Sequence, residues 1–282
     1  MLKRLLRAFI RRIVRSNSVM SGTDYLWAPI DKTKPNFFGW GMITRVYPPW
    51  HEGKGDSFSR SFHETNHKFL ALVREGTFQL SQFRHLTVDA REEFIRGLGW
   101  RHFIVQWSVL WAARESRGSA VALVECGVCD GMTIYFAMMA LQGQHHFTCT
   151  LFDAWQGMQA EDLLSTEMQQ VGAYSFLSLD TTKRNLEMFS DQCTFLKGSI
   201  PESLSLTEEH VEVNWLHIDM NSAIPTLAAL NWFWDRIPSG GLVLFDDYLG
   251  EPETKSVADL FFADRNCVVL PLPTGQGICF KR

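Results

Sequence analysis

Acidic side chains stand at four places along this 282-residue chain where apolar runs end, and each could close a strand of an alternating strand–helix pattern. The first is Glu125-Cys126-Gly127-Val128-Cys129-Asp130-Gly131, in which glycines let the backbone come close to a ligand. The second is Asp153, 22 residues beyond Gly131, where a carboxylate can accept hydrogen bonds from two ribose hydroxyls. The first turn is not G-x-G-x-x-G. It has an acid before its first glycine and bulkier residues where a pyrophosphate would need bare backbone. That favours a cofactor with an adenosine and no pyrophosphate, and S-adenosylmethionine fits. Glu125 suits a site for a sulfonium and an amino group. A glycine-bearing turn with no ligand remains the plainer alternative.

The third place is His217-Ile218-Asp219-Met220-Asn221 and the fourth is Asp246-Asp247-Tyr248. If their strands are neighbours, Asp219, Asp246 and Asp247 converge. Clustered carboxylates raise one another's proton affinity, and a divalent cation relieves the repulsion. All-oxygen ligands favour Mg²⁺ or a similar hard ion. The alternative use of such aspartates is N-capping and loop hydrogen bonding.

The elements that must position these groups read as follows. Strands are expected at 121–125, 147–153, 194–197, 213–218 and 242–245, with a terminal pair near 267–271 and 277–281. Helices are expected at about 131–142, 181–189, 225–236 and 255–263. Residues 90–117 also read as helical, with Phe94, Leu98, Ile104, Trp107 and Leu110 as candidate core positions. Repeated strand–helix alternation predicts a doubly wound, mainly parallel sheet covered on both faces. Ligands of such sheets sit beyond the carboxyl ends of the strands, where the acids are. Residues 17–90, broken by Pro29, Pro35, Pro48, Pro49 and glycines, read as an irregular extension that wraps the core at 91–282. Residues 155–180 are expected to form a lid, and 20–90 to wall a substrate pocket where Trp27, Trp40, Trp50 and Trp155 could stack on a sugar face.

The order VECGVCDGMT, LFDAWQGM, FLKGSIPESL, WLHIDMNSAIPTLAAL and PSGGLVLFDDY resembles the macrocin O-methyltransferase (TylF-type) family over about residues 90–265. Members of that family are class I S-adenosylmethionine-dependent enzymes that methylate sugar hydroxyls of natural products. The resemblance implies a Rossmann-like seven-stranded sheet with a terminal antiparallel strand. It implies Mg²⁺ at Asp219, Asp246 and Asp247, and cofactor contacts at Glu125, Gly127, Asp153, Lys197, Gly198, Ser199 and Asp219. A sugar or glycoside is the implied acceptor. The family often has an acid two residues after the first metal aspartate. Here that position is Asn221, which cannot take a proton, so the catalytic expectation falls on Asp219 and Asn221 with the base displaced.

The rest of the sequence bounds the context. With 46% hydrophobic and 21% charged residues the chain is globular, and its net charge of −4 argues against nucleic acid as a partner. Six cysteines in this length suggest a reducing, cytoplasmic setting. Lys3, Arg4, Arg7, Arg11, Arg12 and Arg15 lie opposite Leu2, Leu5, Leu6, Phe9, Ile10 and Ile13, which makes residues 1–16 a basic amphipathic helix. Such a helix is a candidate for peripheral contact with the inner membrane surface, or for docking and homo-oligomer formation. Two motifs compete with the main reading. Cys126-x-x-Cys129 has redox spacing, and His63-Glu64-Thr65-Asn66-His67 has the H-E-x-x-H pattern of zinc proteases. Neither accounts for the acids at the strand ends. The alternative functions are a nicotinamide-dependent oxidoreductase, or a membrane-surface or scaffold protein with a methyltransferase-like core.

Overall fold

The computed structural model describes residues 57–207 and 212–282, together with a short antiparallel pairing of Phe37–Phe38 with Gly41–Met42. The basic helix expected at 1–16 and the residues Trp27, Trp40 and Trp50 lie outside the described residues.

Seven strands form one sheet: β1 (Val121–Cys126), β2 (Phe147–Asp153), β3 (Cys193–Lys197), β4 (Trp215–Ile218), β5 (Leu242–Phe245), β6 (Leu270–Pro271) and β7 (Gly277–Phe280). Their spatial order is β3-β2-β1-β4-β5-β7-β6. The first five are parallel, and β7 runs antiparallel to both β5 and β6. This is the Rossmann-like, mainly parallel sheet expected from the sequence. The order in which strands are added reverses between β1 and β4, and that switch point is where a parallel sheet opens a crevice.

Strands β1, β4 and β5 are nearly continuous apolar runs because helices cover both of their faces. Side chains alternate between two cores. Val121, Leu123, Trp215, Leu242 and Leu244 pack on one face, and Val124, Cys126, Leu216, Ile218, Val243 and Phe245 on the other. The first face is covered by α1 (Ser57–Glu75), α3 (Gly99–Glu115) and α4 (Met132–Leu141), while α2 (Val88–Gly97) packs on α1 and α3. After α5 (Leu179–Asn185), the helices α6 (Ala223–Phe233) and α7 (Pro252–Ala263) cover the second face.

Two local expectations are corrected. Residues 57–75, expected to be irregular, form a 19-residue helix. Its Phe62 and Phe69 are fully buried, and Phe69 meets Phe78 and Phe136 at ring distances of 4.7 and 5.1 Å. Each such ring contributes about 1.5–3 kcal/mol by burial, which fixes α1 to α4. The prolines and glycines that suggested irregularity all precede this helix. The 90–117 stretch is two helices broken at Gly97-Leu98-Gly99, which resets the phase of the buried face. Ile95, Leu98, Val105, Val109 and Ala112 are buried, whereas Phe94, Ile104 and Leu110 are only partly buried and Trp107 is 40% exposed.

The strand ends meet at one level because the ladder runs one residue past each of them. Gly127 N donates to Phe152 O at 2.8 Å, Asp219 N to Cys126 O at 2.8 Å and Asp246 N to Ile218 O at 3.0 Å. Gly127 has φ +88°, and a Cβ there would lie 1.8 Å from the Asp219 carbonyl oxygen. Gly143 also has a positive φ but nothing within 4 Å of its Cβ position. Gly143→Ala should therefore cost only backbone strain, about 1–2 kcal/mol. Gly127→Ala should cost about 3–5 kcal/mol, since it must also push β1 from β4. Urea denaturation of the two variants checks this, and equal losses would show that the close approach is not there.

Candidate active site

A cleft opens over the carboxyl ends of β1, β2, β3, β4 and β5. Gly127, Val128, Asp153, Gly198 and Ser199 line one part, and Asp219, Asn221, Asp246 and Asp247 line the other. Leu80, Phe83, Phe94, Leu98 and Val105 form an apolar wall contributed by the helical layer before the sheet. Leu80 and Phe83 belong to the segment expected to wall a pocket. Gln156, Met158, Tyr174 and Leu177 from the expected lid also face the cleft. Trp155, a candidate for sugar stacking, is instead buried and donates its indole N–H to Thr182 Oγ1 at 2.9 Å.

The first turn is held by Asp153. Its Oδ2 accepts the backbone N–H of Val128 at 2.8 Å and of Cys129 at 2.9 Å, and its Oδ1 accepts that of Trp155 at 2.6 Å. Asp153 was expected as a bidentate acceptor for two ribose hydroxyls. Three of the roughly four lone-pair positions of a carboxylate are already used, so the side chain is first of all the latch of the glycine turn.

The acids of the other half are brought together. Ligand oxygens of Asp219, Asp246 and Asp247 lie within 4.8 Å of one another, and this is the one such group among the described residues. Two buried cations meet them. His217 lies directly opposite Glu125 in the β1–β4 register, and its Nδ1 is 2.8 Å from Glu125 Oε1. Its Nε2 is 3.7 Å from Asp246 Oδ1. Burial alone would lower the imidazole pKa, but the carboxylates of Asp246 and Glu125 outweigh it and raise it to about 10. From α3, Arg101 Nη2 donates to the Asp246 carbonyl oxygen at 2.8 Å, to Asp246 Oδ2, and to Asp247 Oδ1 at 3.1 Å. Burial would raise the Asp246 carboxyl, yet Arg101 and His217 hold it well below the usual range. Asp219 is pushed well above that range by burial and by the charges of Asp246 and Asp247.

Three sequence expectations change in kind. Glu125 was expected at the cofactor. It is 1% exposed, does not line the cleft, and is committed to His217. The reason is parity: residue 125 points to the same face of the sheet as Leu123 and lies under the helical layer. Lys197, also expected at the cofactor, is exposed on the edge strand β3, while Gly198 and Ser199 beside it do line the cleft. Asn221 was given a catalytic position. Its Nδ2 donates to Tyr174 Oη at 3.0 Å, so it ties the lid to the end of β4. Sequence reasoning missed Arg101, His217, Glu167 and Tyr174. For His217 a signal existed, an imidazole inside an apolar strand two residues before Asp219. For Arg101 none did, since 145 residues separate it from Asp246.

The competing motifs do not form sites. Cys126 and Cys129 are unpaired, and burial pushes both thiols well above their ordinary pKa. In α1, His63 is buried while Glu64 and His67 are exposed, so the H-E-x-x-H residues do not converge. No helix among the described residues is long and apolar enough to cross a membrane.

Comparisons with known proteins bear on the domain and its fold. Residues 124–248 match the family model Methyltransf_24, described as a methyltransferase domain. No curated protein sequence matches the chain significantly. The fold is similar to that of the O-methyltransferase NovP, with a TM-score of 0.59 and 17% identity over 77% of this chain and 99% of that one. It is also similar to CalS11, a calicheamicin methyltransferase, with a TM-score of 0.50 and 16% identity over 81% of this chain and 98% of that one. Residues 124–248 thus match a methyltransferase-domain model, and the fold is shared with these two methyltransferases.

The lid has a second anchor. Glu167 is 2% exposed, and its Oε2 accepts Leu164 N at 2.7 Å while its Oε1 accepts Ala223 N, the first residue of α6, at 2.8 Å. Glu167→Gln turns one of those acceptors into a donor that faces an N–H. The lid should loosen by about 1–3 kcal/mol, read as faster amide hydrogen exchange over residues 158–177 with the central strands unchanged. Unchanged exchange in the lid would show that Glu167 does not hold it.

Proposed function

We propose that this protein is an S-adenosylmethionine-dependent, Mg²⁺-assisted O-methyltransferase acting on a hydroxyl of a sugar or sugar-containing natural product. One observation carries the reading: the acidic trio at Asp219, Asp246 and Asp247 shares a single cleft with the glycine turn and Asp153. The sugar acceptor is supported by the resemblance of the motifs at the strand ends.

The cofactor fits the first part of the cleft. Gly127 leaves bare backbone there, Asp153 keeps one lone-pair position for a ribose hydroxyl, and Ser222 contributes a buried Oγ with no partner among the described residues. When bound, S-adenosylmethionine supplies an electrophilic methyl carbon, so the protein's tasks are orientation and deprotonation.

The metal fits the second part. Four carboxyl groups, Glu125, Asp219, Asp246 and Asp247, share this buried cluster with two basic side chains, Arg101 and His217. Their donor atoms are all oxygens. A divalent ion held by Asp219, Asp246 and Asp247 would supply Lewis-acid polarisation of the acceptor hydroxyl. Asp219, at the end of β4 and lining the cleft, is the residue proposed to take the hydroxyl proton, because Asn221 cannot act as a base. The bond between Asn221 and Tyr174 ties the lid to the end of β4 beside the cleft.

Two measurements test the reading. In titration calorimetry the protein should bind S-adenosylhomocysteine, and Asp153→Ala should weaken binding by roughly 1–3 kcal/mol as the turn unlatches and a ribose acceptor is lost. Absence of binding by the wild type would sink the function. With a panel of glycosides bearing vicinal hydroxyls and labelled S-adenosylmethionine, transfer should need Mg²⁺ and stop in EDTA. Asp246→Asn should abolish transfer while keeping most of the cofactor affinity. Full transfer in EDTA would remove the metal from the mechanism.

A further inference from the structure

We infer that Arg101 is a positioning residue that serves as the resident counter-ion of the acidic trio and hands Asp246 and Asp247 over to the divalent ion when that ion binds. The inference rests on the metal reading above and concerns a residue outside the 124–248 stretch that matches a methyltransferase domain. Arg101 is the third residue of α3, and its side chain is 5% exposed. A guanidinium buried to that degree does not shed its proton, so its charge is permanent. A single Nη2 reaches both carboxylates and the carbonyl oxygen of Asp246.

Asp246 shows why this is a handover and not a bystander contact. Its Oδ2 is taken by Arg101, and its Oδ1 accepts Gln276 Nε2 at 3.1 Å. Both oxygens of one expected metal ligand are therefore engaged before any ion arrives. A cation that uses Asp246 Oδ2 must share that oxygen with Arg101 or displace it. Displacement does not free the arginine, because its bond to the backbone carbonyl of Asp246 does not involve the carboxylate. The guanidinium can thus stay beside the site while the carboxylate oxygens turn to the ion.

Two consequences follow from charge. Without the ion, one guanidinium nitrogen of Arg101 holds Asp246 and Asp247 side by side, so the ligand set is shaped in advance instead of being assembled around the metal. With the ion, a positive charge remains beside a dication, and that weakens its binding. The helical layer before the sheet therefore helps to set the metal affinity of the site as well as covering the core.

The test uses Mn²⁺ as the probe, with free Mn²⁺ followed by electron paramagnetic resonance in full-length protein. Arg101→Gln keeps hydrogen-bond donors and removes the charge, and it should bind Mn²⁺ at least about tenfold more tightly than the wild type. Arg101→Lys restores the charge and should return the affinity to within about threefold of the wild type. Circular dichroism establishes that each variant is folded. Wild-type or weaker affinity in folded Arg101→Gln would overturn the inference. Should Arg101→Gln not fold, the guanidinium signals in ¹⁵N NMR of the wild type decide the matter. Its Nη protons should be held and slow to exchange without metal and should speed up when Mg²⁺ is added, and no change would overturn the proposal. If neither wild type nor variant binds Mn²⁺, the metal assignment and this inference fall together. Binding of S-adenosylhomocysteine, measured separately, then still supports the methyltransferase reading.

Discussion

A buried chain of charge organises this molecule. Glu125, His217, Asp246 and Arg101 lie where β1, β4, β5 and α3 meet, and none of these side chains is more than 14% exposed. Removing one charge from water costs several kcal/mol unless a partner of opposite sign is in place. The four therefore constrain one another. Glu125 needs His217, His217 sits between Glu125 and Asp246, and Asp246 needs Arg101 as well. A shift of one strand by one residue would turn Glu125 or His217 to the opposite face and leave the other alone. The register of the central strands and the docking of α3 are fixed by the same set of pairs.

The arrangement also explains how the site is supported. Strand alternation puts Glu125 and His217 on the face that α3 covers, beside Trp215, whose indole N–H donates to Ser108 Oγ of α3 at 2.8 Å. Asp246 follows one residue after β5, on the same side. These groups lie at and below the floor of the cleft, and the residues exposed to a ligand are those one step further along each strand. Gly127 and Asp153 belong to that outer tier with Asp219 and Asp247. The side chains divide accordingly: Glu125 and His217 hold, and Asp219, Asp246 and Asp247 line the cleft.

The enclosing parts follow a similar economy. Asp153 latches the glycine turn through two backbone N–H groups and its own loop through a third, and Glu167 pins the lid through two. Carboxylates suit this work because each offers several acceptor positions to donors that a loop would otherwise leave unpaired. The lid is tied at Glu167 to the start of α6 and at Tyr174 to Asn221. Both ties reach the segment that follows β4, so the lid, the metal-candidate aspartate and α6 are mechanically one unit.

By itself the sequence determined the βαβ rhythm, because hydrophobic period and glycine placement are local properties. It marked β2 and β5 with their observed bounds, and it placed Gly127, Asp153, Asp219, Asp246 and Asp247 at strand ends. It also read Asn221 as unable to act as a base, a matter of side-chain chemistry alone. Tertiary structure decided what each acid is for. Glu125 became a buried partner of His217 because strand parity points it inward. Lys197 stayed in solvent because β3 is an edge strand. Arg101 entered the site because α3 packs across the sheet, bringing residues 145 positions apart into contact. The phase of α3 was set by the break at Gly97-Leu98-Gly99, which no period counted across it can anticipate. Local patterns fix which element a residue is in. Its partner is fixed by how distant elements pack, and in this chain the partner decides the chemistry.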